Sequence, residues 1–94
     1  MLEIEKMLSL HPSHLTKTTD ILLRHDDVPG VVSFQKKGLL GEVYGMFVYI
    51  SQDWKEEDVP GDLAACIELA KKHGCDWIMF DRDVEPVPEL TVLI

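Results

Sequence analysis

The sequence has few of the residues from which metal and redox sites are built. It contains two cysteines, Cys66 and Cys75, which form no CxxC pair, and four histidines that follow no zinc-ligand spacing. A nucleophilic Cys75 would need an activating neighbour such as His73, and a buried, inert thiol is the better interpretation. We therefore expect no metal and no cofactor, and the sequence leaves an enzymatic role open without favouring it.

Long hydrophobic runs are also missing. No stretch approaches the roughly 20 apolar residues that a membrane-spanning helix needs. The first ten residues, MLEIEKMLSL, carry two glutamates where a signal peptide would carry positive charge. We expect a cytoplasmic protein with reduced thiols and no membrane partner.

Basic residues are scarce, with nine lysines and arginines against 17 aspartates and glutamates, which gives a net charge of −8. Non-specific nucleic-acid binding is disfavoured, because affinity for phosphates comes from a basic surface. The simplest interpretation is that the negative charge keeps the protein soluble. A cationic partner, or mimicry of a polyanion, is the alternative.

The 94 residues suffice for one domain with a modest core. Alternating and helical apolar patterns predict six elements. In order, these are a strand over 2–10, a helix capped by Ser13 or Thr16 and ending near His25, strands over 31–37 and 43–50, a helix capped by Asp58 and ending at Gly74, and a strand over 76–80. The second helix has the clearest apolar stripe, formed by Leu63, Cys66, Ile67 and Ala70.

The order β-α-β-β-α-β predicts an α+β domain over 1–83 with the ferredoxin-like split βαβ fold. That fold has an antiparallel sheet of order 4-1-3-2 with both helices on one face. A differently ordered α/β sheet is the alternative. Residues 84–94 form a tail that closes in the strand-like LTVLI, and we expect it to pack on the sheet or on a partner subunit.

In the ferredoxin-like order, opposite ends of the strands collect opposite charges. The acidic pole would hold Asp53, Asp58, Asp81 and Asp83. His14 and Asp81, a tempting general base and its orienting carboxylate, would then lie about 20 Å apart, too far to pair. The acidic residues could bind a divalent cation together with His25, but internal pairing with Arg82 or helix capping is the favoured interpretation.

The segment HPSHLTKTT opens the first predicted helix, whose free N–H groups could hold an anion. It lacks the glycines of a P-loop or Rossmann turn, so plain helix capping is favoured. The alternative function is a small enzyme or ligand-binding protein with an anion site here. Its candidate residues are His14, Thr16, Lys17, Lys36 and Lys37.

Two predicted strands, VYGMFVYI and WIMF, are apolar on both faces. Helices would cover one sheet face only, and large apolar patches seldom stay exposed on a monomer. We therefore expect a homodimer or a protein partner on the other face, with the tail as the alternative cover. The candidate interface residues are Tyr44, Phe47, Tyr49, Trp77 and Phe80.

Three stretches of the chain resemble an uncharacterised family of small bacterial proteins carried on mobile elements. HPSHLT (11–16) resembles the family's S-T-A-H-I-T, although Pro12 interrupts it, and VYGMFVYI (43–50) resembles its Y-G-x-F-V. GCDW and FDRD, within 62–83, resemble its G-C-[DE]-W and F-D-R-D; the tail ends TVLI where Y-D-W is common. The resemblance implies a bacterial, cytosolic setting near toxin–antitoxin and antirestriction genes, and it implies no mechanism.

Overall fold

The computed structural model describes residues 2–93, which form an α+β fold of two layers, a four-stranded sheet and two helices. The strands are β1 (Met7–Leu10), β2 (Val31–Lys37), β3 (Val43–Ile50) and β4 (Trp77–Asp81). The helices are α1 (Lys17–Arg24) and α2 (Gly61–Lys72), and single 3-10 turns cover Pro12–His14 and Glu56–Asp58. No helix within residues 2–93 has the length and apolar character to cross a bilayer.

The two strands of the hairpin have the bounds that the sequence predicts, but β1 is shorter than predicted. Residues 2–6 lie outside the sheet because β4, the only partner of β1 among residues 2–93, begins at Trp77, opposite Met7. β4 itself begins and ends one residue later than predicted. A β1 longer at its start would have no neighbouring backbone to bond.

Local sequence explains where α1 begins and where α2 ends. The Thr16 hydroxyl accepts a hydrogen bond from the Thr19 N–H and caps α1, as predicted. Asp58 does not cap α2, because it ends a 3-10 turn and the helix begins only after Pro60. Gly74, with φ of +75°, ends α2 in the left-handed conformation that favours glycine.

The ferredoxin-like strand order is wrong. The sheet order is β1-β4-β3-β2; β1 and β4 are parallel, and the other neighbours are antiparallel. β4 is therefore central and β1 lies at an edge, the reverse of the prediction. β1, β4 and β2 all point the same way, so residues after Leu10, Asp81 and Lys37 lie at the same end of the sheet.

The core lies between the helices and one sheet face. Its largest fully buried members come from both layers. The strands contribute Leu10, Val48, Ile50, Ile78 and Phe80, and α2 contributes the predicted stripe of Leu63, Cys66, Ile67 and Ala70. Alternate residues of each strand therefore supply the core, and the residues between them point away from it.

The described part of the tail lies on the helical side of the sheet. The Leu93 N–H donates to the Ser13 carbonyl at 2.7 Å, and Val87 and Leu90 pack against the core. Leu90 also lies beside Leu69 of α2. The predicted strand over LTVLI does not form within residues 90–93, and Ile94 lies outside the described residues. The tail thus leaves the other sheet face uncovered.

Candidate functional site

The face of the sheet opposite the helices is an apolar surface that the described residues leave uncovered. Its side chains are alternate residues of the four strands, which the strand register arranges in three rows. The rows are Met7, Trp77, Tyr49 and Val32; then Ser9, Met79, Phe47 and Phe34; then Asp81, Gly45 and Lys36. We call these residues the open face.

Aromatic rings dominate the first two rows. The ring centroid of Trp77 lies 5.1 Å from that of Tyr49 and 6.2 Å from that of Phe34, in tilted arrangements. Such separations are those of favourable aromatic pairs. The rings therefore support one another, although Phe34 is 50% exposed.

A groove of about 530 Å³ runs between the rings on this face. Four apolar residues and one carboxylate line it, namely Met7, Phe34, Phe47, Trp77 and Glu5. The Trp77 indole Nε1–H donates to Glu5 Oε2 at 3.2 Å, which holds the carboxylate at the rim. We call these five residues the aromatic groove.

The third row ends the open face with one charge of each sign. Gly45 lies between Lys36 and Asp81, and a Cβ at Gly45 would collide with the Phe80 carbonyl oxygen. Glycine is therefore required where β3 and β4 approach closely. Without a side chain there, the middle of this row is open between the two charges.

The predicted interface residues are divided between the two faces. Phe47, Tyr49 and Trp77 lie on the open face. Phe80 was expected at the interface, but it is buried in the core and is 1% exposed. Tyr44 is 43% exposed; its hydroxyl donates to Glu42 Oε1 at 2.9 Å, and its ring lies 5.3 Å from the Arg82 guanidinium carbon.

Sequence reasoning missed several open-face residues, namely Met7, Val32, Phe34 and Met79 as interface candidates. The signal for two of them was present, because Val32 and Phe34 alternate with Ser33 in VVSFQKK. A strand with apolar residues on alternate positions next to a two-sided apolar strand indicates a continuous apolar face. Only the strand order could have added Met7.

The predicted acidic pole does not form, because the strand order on which it rested is wrong. Asp53 and Asp58 follow the end of β3, whereas Asp81 lies opposite Gly45 near the start of β3. The two pairs of carboxylates are thus separated by the length of β3. Lys36 shares the end of the sheet that holds Asp81, so the predicted charge dipole is also wrong.

The Asp81-Arg82-Asp83 segment forms a turn after β4. The Asp83 N–H donates to Asp81 Oδ1 at 2.9 Å, and Arg82 reaches back to the Tyr44 ring. Within residues 2–93 no group of three or more potential metal ligands comes together. The contacts of this segment are those of a structural turn.

His14 is a buried connector between the start of the chain and its tail. It is 2% exposed, and its Nε2 accepts the Val87 N–H at 3.0 Å. Its Nδ1 lies 2.9 Å from the Thr91 carbonyl oxygen, to which it can only donate. The imidazole is therefore a neutral ring with both nitrogens bonded to backbone. The 20 Å separation predicted between His14 and Asp81 rested on the wrong strand order.

A carboxylate of the protein already occupies the start of α1. Asp62 Oδ2 accepts the Thr16 N–H and Asp62 Oδ1 accepts the Thr19 hydroxyl, both at 2.8 Å. This is the position that a bound anion would take at a helix N-terminus. Asp62 belongs to α2, so the contact joins the two helices.

The candidate anion-binding residues come from different elements of the fold. Thr16 and Lys17 lie at the start of α1, and Lys17 lines a surface cleft with His11 and Arg24. Lys36 and Lys37 lie at the end of β2, on the opposite edge of the sheet from β1.

Both cysteines are buried free thiols. Burial, together with the nearby Asp62 carboxylate, raises the pKa of the Cys66 thiol from 9.0 to about 12. Cys75 Sγ lies 3.8 Å from the carbonyl oxygen of His73, not from its ring. Neither environment is that of an activated nucleophile.

Comparison with known proteins places these features in a family. The model of a family described as "Family of unknown function (DUF5983) C-terminal domain" matches residues 7–93. No curated protein and no solved structure matches the chain.

Proposed function

The chain belongs to the DUF5983 family, whose function is unknown, and we propose that it is a non-enzymatic interaction module that binds a partner protein through the open face. The uncovered apolar surface of the sheet carries this proposal. Apart from Ser9, apolar and aromatic side chains from all four strands form its first two rows. Contiguous apolar patches of this kind are uncommon on monomers unless they bind something.

The position of the tail supports the proposal. A tail folded over the open face would have made a partner unnecessary, and residues 87–93 instead contact His14, Ser13 and α2. Both helices pack on the opposite side of the sheet, and Leu2 and Ile4 of the segment before β1 stay 84% and 80% exposed. A second molecule is then the remaining cover.

A reactive centre finds no support among the described side chains. His14 uses both ring nitrogens for backbone contacts, and the two thiols are buried. Asp81 serves the turn that follows β4. The proposal therefore assigns these groups to stability, and it assigns binding to the open face.

Site-specific cross-linking in cells that produce the protein tests this proposal. A photoreactive phenylalanine at position 34 lies on the open face, and one at position 21 lies on α1 at a similar exposure, 50% against 45%. We expect discrete conjugates from position 34, several-fold more abundant than from position 21. The conjugated protein, once purified, should bind the wild-type chain and fail to bind Phe34→Asp.

Light scattering decides whether the partner is a second copy of the chain. A dimer that Phe34→Asp converts to a monomer would make the open face a homodimer interface. Equal cross-linking from positions 34 and 21, together with a monomer at all concentrations, would contradict the proposal. Circular dichroism of each variant checks that the fold is kept.

The motif resemblance supports a genetic setting as a further part of the proposal. We propose that the protein acts in the bacterial cytoplasm and is encoded on mobile elements, near toxin–antitoxin and antirestriction genes. Inspection of the genes that flank those encoding G-C-[DE]-W and F-D-R-D proteins checks this. Flanking genes of ordinary chromosomal metabolism would count against it.

A further inference from the structure

We infer that the aromatic groove binds a guanidinium or ammonium side chain of a short basic segment in the partner protein. This inference rests on the proposed function and names the chemistry of the ligand. It follows from three features of the open face: its rings, its carboxylate and its size.

The rings of the groove suit a cation. Phe34, Phe47 and Trp77 line it, and a cation within about 6 Å of a ring centroid is attracted to the negative face of the ring, most strongly for Trp. The molecule already uses this contact once, where the Arg82 guanidinium carbon lies 5.3 Å from the centre of the Tyr44 ring. The groove offers similar rings with space between them.

The carboxylate of Glu5 supplies the opposite charge. One oxygen accepts the Trp77 indole N–H, so the carboxylate is held beside the rings. The ion pairs among residues 2–93 are Arg24–Asp20 and Lys71–Asp76, and neither involves Glu5. Lys36, the cation of the open face, lies in the third row, two rows away from Trp77. A cation from another molecule would therefore find both an aromatic surface and a counter-charge.

The size of the face favours a segment over a second folded copy. The open face is four strands wide, with strands about 4.8 Å apart, and a few residues long, at a rise of about 3.3 Å per residue. With its side chains included, its area is roughly 400 Å². A stable interface between folded proteins needs about 800 Å² on each partner. A net charge of −8 also opposes the approach of an identical chain and favours a basic one.

The indole resonances of the wild-type protein provide a direct test. The chain has two tryptophans; Trp77 lines the groove, and Trp54 packs against the core. A ¹⁵N-labelled sample is titrated with a five-residue peptide that carries one central arginine. Matched peptides carry citrulline, which has the same shape without charge, or leucine.

We expect the arginine peptide to shift the Trp77 indole resonance saturably and to leave that of Trp54 unchanged. Citrulline should weaken binding by about five-fold or more, because it removes the cation–π attraction and the pairing with Glu5. Glu5→Gln should weaken binding of the arginine peptide by roughly three- to five-fold. Glu5 is exposed, so this change should leave the fold intact.

The remaining outcomes separate this inference from the proposed function. If the arginine and citrulline peptides bind equally, or if only the leucine peptide shifts Trp77, the groove does not select a cation, and the open face can still be an interface. If no peptide shifts Trp77 while position 34 cross-links to a protein, the cationic ligand is wrong and the interaction module stands. If light scattering reports a dimer through the open face, a second copy is the occupant and the basic segment is excluded.

Discussion

The two faces of the sheet are built from alternate residues of the same four strands, yet their surroundings differ completely. Ile78 and Phe80 of β4 are buried in the core on the helical side, whereas Trp77 and Met79, their immediate neighbours, lie on the open face. Both faces are apolar, and only one has a cover within the described chain. Apolar character therefore does not distinguish the covered side of this sheet from its uncovered side.

The two faces also differ in the hydrogen bonds and ion pairs of the polar groups beside them. On the covered side, Asp62 bonds to the start of α1, and both nitrogens of His14 bond to the tail. On the open side, Glu5 holds the Trp77 indole, and no residue between 2 and 93 forms an ion pair with it. Buried polar side chains on the covered side are bonded within the described chain, with the Ser33 hydroxyl as the exception, whereas the Glu5 charge has no internal counter-ion among residues 2–93.

The largest difference between the faces is expected in the free energy of unfolding when a phenylalanine is truncated to alanine on each face. Phe80→Ala should lower the free energy of unfolding by about 3–5 kcal/mol, because it leaves a cavity in a packed core. Phe34→Ala, at a half-exposed position, should cost less than about 1 kcal/mol. Urea denaturation measures both, and equal losses would show that the open face is not open in solution.

A smaller loss of stability is expected when the hydrogen bonds between His14 and the tail are removed. His14→Ala should cost about 2–3 kcal/mol, because it leaves the Val87 N–H and the Thr91 carbonyl without their partner and empties a buried position. Hydrogen exchange should become faster at the Val87 amide. His25→Ala, at the exposed end of α1, is the matched control and should change neither quantity.

The smallest effect at neutral pH concerns Cys66 on the covered side. Because its pKa is raised from 9.0 to about 12, the folded state keeps the neutral thiol where the unfolded state ionises. The stabilisation is fully present below pH 9 and is lost as the pH rises toward 12. Urea denaturation at pH 8 and pH 10 should show a larger loss for the wild type than for Cys66→Ala.

Reactivity gives an independent measure of the same burial. The folded protein should resist a thiol reagent at pH 8 and react at both cysteines in denaturant, since both are buried. Rapid labelling of the folded chain, or identical pH slopes for wild type and Cys66→Ala, would mean that the covered side admits solvent.

The sequence predicts the elements well where one local pattern decides them. The bounds of β2 and β3, the Thr16 cap and the apolar stripe of α2 are confirmed. Each depends on residues a few positions apart; the Thr16 hydroxyl, for example, accepts a hydrogen bond from the N–H of Thr19, three residues later. The predicted Asp58 cap is wrong because Pro60 occupies the N-cap position and the helix begins at Gly61.

The strand order could not be obtained in the same way. Periodicity assigns a face to each residue, but it does not say which strands are neighbours. WIMF in β4 is apolar on both faces, which is typical of a central strand and agrees with the central position of β4 in the sheet. The error in the strand order then carried over to the acidic pole and to the separation of His14 from Asp81, and it left the edge residue Met7 out of the interface.

The pairing of β1 with β4 bears on how the chain folds. The β2–β3 hairpin closes over a short loop and can form within microseconds. In the part of the chain that the structure describes, β1 pairs only with β4. The hydrogen-bond partners of His14 also lie 73 and 77 positions further along the sequence. A ribosome adding about 5–20 residues per second needs roughly 4–14 s to make that stretch. During this interval β1 has no partner strand, and the sheet can be completed only after β4 has been synthesised.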